Sequence, residues 1–146
     1  MPADSLDKDY CIRPEVVNYD DVCRWIPAMK GRKKLVDSIL RFLSIDKVND
    51  VHARHCHTPG IPFSQALIHD EFKLDLKVDG LDVLNSFPSG AFITVSNHPF
   101  GALDGITLLD IVGSVRPDFK VMVNMFLNHI TAMRPSFIAV DPSASD

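Results

Sequence analysis

The chain has 146 residues, 46% of them apolar and 23% charged, with a formal net charge of −4. That length suits one domain with a real core, and the composition carries no disorder signature. It holds no apolar run near the ~18–20 residues of a membrane span and no signal-peptide pattern. Cys11, Cys23 and Cys56 are an odd number at wide spacings. They indicate no disulfide framework and suit a reducing, cytoplasmic setting.

The charge is unevenly placed. Residues 1–23 carry two basic and six acidic groups, residues 24–54 eight basic and three acidic, and the remainder five basic and ten acidic. The basic block coincides with the best helical pattern. Leu35, Val36, Ile39, Phe42 and Leu43 recur at three- and four-residue intervals, which predicts an amphipathic helix from about Lys33 to Ser44. Such a helix either packs on the core with a solvated charged side or lies on an anionic membrane surface. Nucleic acid is not the expected partner, because the patch is short, the whole chain is acidic, and only Trp25 and Phe42 offer aromatic faces.

Residues 45–71 hold His52, His55, Cys56, His57 and His69. His55, Cys56 and His57 are consecutive and cannot all converge on one ion with ordinary backbone. The expectation is therefore no metal, and a loop carrying several histidines. After the turn at Thr58-Pro59-Gly60-Ile61-Pro62, the segment Phe72–Asp79 alternates apolar and charged residues, the pattern of a half-exposed strand near a sheet edge. Leu81–Phe87 reads as a short turn or helix.

Ala91–Gly105, AFITVSNHPFGALDG, joins an apolar segment to a polar turn. The apolar part suits an internal strand covered on both faces. Catalytic positions of open α/β sheets lie just beyond the carboxyl ends of such strands, where His98 falls. A neutral imidazole takes a proton from an attacking hydroxyl, and a carboxylate at its other nitrogen fixes the tautomer. Asp104 follows six positions later, with Pro99 and Gly101 between to fold the loop back. Taken alone, an Asp ahead of an apolar run reads as a helix N-cap. One carboxylate can serve both roles. Asp104 to about Val115 is the predicted helix, stopped by Arg116-Pro117. Phe119–Asn124 reads as a third strand, Met125–Ala132 as a short helix with His129 on it, and Ser136–Val140 as a fourth strand. This alternation argues for α/β: an N-terminal helical region (1–70), then a mainly parallel sheet with crossover helices (71–146).

Asn97-His98-Pro99-Phe100-Gly101-Ala102-Leu103-Asp104-Gly105 resembles the first motif of the glycerophosphate/lysophosphatidic-acid acyltransferase superfamily. It is nearest to a hemolysin-like bacterial branch that reads N-H-P-x-G-x-L-D-G. The common superfamily motif has four residues between His and Asp, and this sequence has five. The resemblance implies His98 as general base, Asp104 as its orienting partner, and substrate contacts from Asn97, Pro99, Phe100, Gly101, Ala102 and Gly105. It implies direct acyl transfer from a thioester of acyl carrier protein or coenzyme A to a lysolipid hydroxyl, with no cofactor. Phe137–Pro142 resembles the second block, in which relatives carry Asp-Arg to hold an acceptor phosphate. Here Pro142 replaces the Arg, which favours a lyso-amino-lipid over a glycerol-phosphate acceptor and leaves Arg134 as the nearby basic candidate. The resemblance covers about residues 70–142 and implies the first half of the family domain, peripheral on the inner face of the bacterial inner membrane. The alternatives are a thioesterase using the same pair on water, or an inactive lipid-binding module.

Overall fold

The structure is a computed structural model that describes residues 13–86 and 89–141. Its first helix, α1 (Tyr19–Trp25), is set by a reciprocal capping box. The Asn18 side chain accepts from the Asp20 and Asp21 N–H groups, and the Asp21 carboxylate accepts from the Asn18 N–H at 3.0 Å. The predicted amphipathic helix is present as α2 (Lys33–Phe42). A left-handed Ser44 then turns the chain into α3 (Ile45–His55).

The expected histidine loop is thus a helix for most of its length. Ile45, Val48, Val51 and His52 keep helical spacing, but His52 occupies an apolar slot and weakens the pattern. His52 is 1% exposed. Its Nδ1–H donates to the Pro14 carbonyl at 2.8 Å, and its Nε2 accepts from the Ala132 N–H at 3.3 Å. The Thr131 hydroxyl lies 3.2 Å from the same Nε2. One turn earlier on α3, the Asn49 side chain accepts from the Val16 and Val17 N–H groups and donates to the Val17 carbonyl. The other histidines of this stretch also find protein partners. Glu71 pairs with Arg54 at 2.6 Å and with His55 at 2.8 Å, which holds its carboxyl at a pKa of about 2. His69 reaches the buried Asp110 at 3.1 Å. Cys23 is free, whereas Cys56 is disulfide-bonded. The sequence, with its odd number of widely spaced cysteines, had indicated no disulfide framework.

A second unforeseen helix, α4 (Ile61–Ala66), has Pro62 in its first turn, where a missing N–H costs nothing. It continues into a π-helical turn, Leu67–Glu71. Then come α5 (Leu81–Asn85), α6 (Ala102–Val115), β1 (Val121–Asn124) and β2 (Phe137–Val140). Two 3-10 helices, Met125–His129 and Thr131–Ser136, make the connection between the strands where one short helix over Met125–Ala132 was expected. The strands are parallel, in register Val121↔Phe137 to Asn124↔Val140. The class is α/β, as the alternation predicted.

Two expected strands are absent from the ladder. Residues 73–78 and 91–96 pair with no other described strand. Lys73 adopts φ 52, a left-handed residue that breaks the extended run at its start. In the second segment Ile93 is 91% and Val95 93% exposed, so the expected burial on both faces does not occur. An apolar run supplies strand propensity, but the ladder also needs a partner edge.

The core joins Cys56, Phe63 and Leu67 to Leu109, Ala132 and Met133, from both sides of position 70. The helices α4 and α6 approach closely at Gly113, where an added Cβ would come within 2.8 Å of Ile61 Cγ1.

The buried imidazole yields a pH prediction. Burial pushes the His52 pKa below its ordinary 6.5, outweighing the Pro14 carbonyl, which raises it. The unfolded chain therefore binds the proton first as pH falls. Stability is complete above the ordinary value and declines from about pH 6.5 downward. Denaturation midpoints measured from about pH 7.5 to 5.5 should fall, and His52→Gln should flatten that slope while lowering stability throughout.

Candidate active site

The turn after residue 96 is shaped by one carboxylate. Asp104 is the third residue of α6, not its N-cap; the cap is Gly101, at φ 65 and ψ −129. That conformation suits glycine and strains any residue with a Cβ. It folds Pro99 and Phe100 back over the helix start. Asp104 Oδ2 then accepts the Phe100 N–H at 2.8 Å and lies 3.4 Å from His98 Nδ1. The expected N-cap role is replaced by a reach back to a backbone N–H outside the helix. The same oxygen faces the imidazole.

The His98–Asp104 separation is longer than a formed N–H···O bond. Catalytic pairs commonly tighten only when substrate binds. The Asp104 side chain is 20% exposed and that of His98 63%. With Nδ1 turned toward the carboxylate, Nε2 is the nitrogen left to take a proton. His98 lines an open cleft of about 940 Å³ whose other walls are chiefly apolar, among them Ile93, Leu108, Phe119, Val121, Met122 and Ile138. Gly105 lines it too. Six residues before His98, Phe92 stacks on Phe119 at 6.0 Å and 10°, with the Arg116 guanidinium 4.7 Å from the Phe92 ring centre. Arg116 is held there by a bidentate pair with Asp118 at 2.9 and 2.8 Å.

The structure brings together His98, Asp104, the Phe100 backbone and Gly105. Asn97, Pro99, Phe100 and Ala102 have exposed side chains at the turn and do not line the cleft. Arg134 is outside the lining as well. Its Nε donates to the Asn128 carbonyl at 2.8 Å. His129 packs edge-on against Trp25 at 5.2 Å and Phe126 at 5.5 Å. Burial, then the charges of Arg13, Arg134 and Arg24, lower its pKa. The cleft walls were not foreseen, because Phe92, Phe119, Met122 and Ile138 read in sequence only as strand residues.

A family model described as acyltransferase matches residues 33–146. The chain belongs to this acyltransferase family. No curated protein and no solved structure matches it. The match begins at α2 and takes in the His98 turn, the cleft and both strands. The narrower resemblance to the hemolysin-like branch rests on the motif residues themselves.

The turn of this acyltransferase can be tested through its cap. Gly101→Ala should cost about 1–3 kcal/mol through the positive-φ strain, or be relieved by a local shift that separates His98 from Asp104. Thermal unfolding reads the first, and the His98 ring proton shifts read the second. An unchanged melt with unchanged shifts would show that the glycine is not required.

Proposed function

We propose that this acyltransferase moves a fatty acyl group from a thioester of acyl carrier protein or coenzyme A to a hydroxyl of a lysolipid, with His98 as general base. The observation that carries the proposal is the carboxylate-backed imidazole at the wall of an apolar cleft. A hydroxyl placed beside His98 gives its proton to Nε2 as its oxygen attacks the thioester carbonyl carbon. Asp104, at the Nδ1 side, holds the ring in that tautomer and stabilises the imidazolium. The tetrahedral oxyanion collapses, the C–S bond breaks, and the thiolate recovers the proton from His98. No acyl-enzyme forms.

The first turn of α6 has no side-chain cap, so the N–H groups of Ala102 and Leu103 are available at a positive dipole end. They are the donors suited to the oxyanion. The apolar cleft walls suit an acyl chain. The absence of an Arg after Asp141 favours a lyso-amino-lipid acceptor over a lysophospholipid, and the position of Arg134 outside the cleft lining agrees with that preference.

In the enzyme, His98→Ala should lower acyl transfer by about 10²–10⁴-fold, the usual scale for a general base. Asp104→Asn should leave binding nearly intact and lower turnover, because its part is orientation and charge. Undiminished transfer by the His98 variant would remove the assignment. The exposure of His98 also lets water reach the base, which favours thioester hydrolysis as the second reading. Chromatography of the products separates the two: acylated acceptor for transfer, free fatty acid without it for hydrolysis.

A further inference from the structure

The helix α2 has more apolar surface than the fold uses. At about 100° per residue, Phe42, Leu35, Ile39, Leu43, Val36 and Leu40 follow one another around an arc of about 160°. Only one side of that arc is covered. Val36 is 1% exposed, whereas Leu35 is 45%, Ile39 38%, Leu43 59% and Phe42 87% exposed. Beyond Phe42 around the helix come Ser38 and then Lys34 and Arg41, all three exposed. Neither cation has an ion-pair partner among the described residues. Lys33, on the opposite flank, is neutralised by Asp37 at 3.1 Å.

A stripe of exposed Leu, Ile and Phe bordered by unpaired Lys and Arg is the arrangement of a helix lying in a lipid–water interface. We infer that the outer face of α2, formed by Leu35, Ile39, Phe42 and Leu43 with Lys34 and Arg41, docks this protein on an anionic bilayer surface. The apolar side chains enter the acyl boundary, and the two long basic side chains extend to the headgroup phosphates. Charge decides between this occupant and a second copy of the chain. A symmetric pair through the same face would bring two sets of Lys34 and Arg41 together, and the one carboxylate on α2, Asp37, is already held by Lys33, whereas an anionic membrane supplies the missing charge. The surrounding segment agrees, since residues 24–54 hold eight basic groups against three acidic ones in a chain that is acidic overall.

The inference needs no turnover and stands apart from acyl transfer, so the two fail separately. Its test is flotation of the whole chain with phosphatidylcholine vesicles, with and without phosphatidylglycerol. Binding should appear with the anionic vesicles and weaken with added salt. The double variant Phe42→Ser, Leu43→Ser should lower the bound fraction about tenfold or more. Lys34→Glu with Arg41→Glu should remove the preference for phosphatidylglycerol. Both positions of the Ser variant are exposed, so its circular dichroism should match the parent. If it does not, Phe42→Cys carrying an environment-sensitive dye gives a second reading, with a blue shift on anionic vesicles expected. The inference is overturned by no flotation of the parent chain, by equal flotation of the Ser variant, by no dye shift, or by a dimer that depends on Phe42 without vesicle binding.

Discussion

A neutral, buried imidazole ties three distant stretches of this chain together. His52 donates to the carbonyl of Pro14 and accepts from the backbone at Ala132, while Thr131 stands at the same nitrogen. The first contact fixes the segment entering α1, and the second fixes the turn that delivers Ser136 and β2. Phe63 packs against the imidazole ring at 5.6 Å, so the polar group and the apolar core are one structure. Burying the ring is tolerable because each nitrogen has a partner. The same burial makes its protonation destabilising.

From that anchor the packing runs through α4 to α6. Gly113 lets Ile61 approach closely, and Leu109, fully buried, seats the helix against the core. The inner half of α6 is thereby held, and its first turn projects toward the cleft with Asp104 on it. The position of Asp104 is set by the core, while the turn that carries His98 is set by Asp104. One Asp104 oxygen accepts from Phe100 and faces His98, so the loop and the imidazole share a single support. The economy has a cost: any change that moves this carboxylate disturbs the turn and the His98 side chain together.

Charge and apolar exposure divide the surface in a related way. The cleft beside His98 offers hydrophobic walls, and the outer face of α2 offers hydrophobic side chains edged by cations. No described helix is long and apolar enough to cross a membrane.

Local signals determined a good deal by themselves. The 3.6-residue period of Lys33–Phe42, the break at Arg116-Pro117, the extended runs that become β1 and β2, and the six-position step from His98 to Asp104 are all contained in short stretches of sequence. Propensity, turn residues and loop length decide such features without reference to the rest of the chain. Tertiary structure decided the others. A histidine in a core position hid α3, since its suitability for burial depends on carbonyl and N–H partners 38 and 80 residues away. Conversely, the alternating run at 72–79 and the apolar run at 91–96 announced strands that find no ladder, because a strand is a relation between two segments. The walls of the cleft likewise exist only where Phe92 meets Phe119 and where α6 meets β1, and contacts between segments far apart in sequence leave no periodic trace in either one.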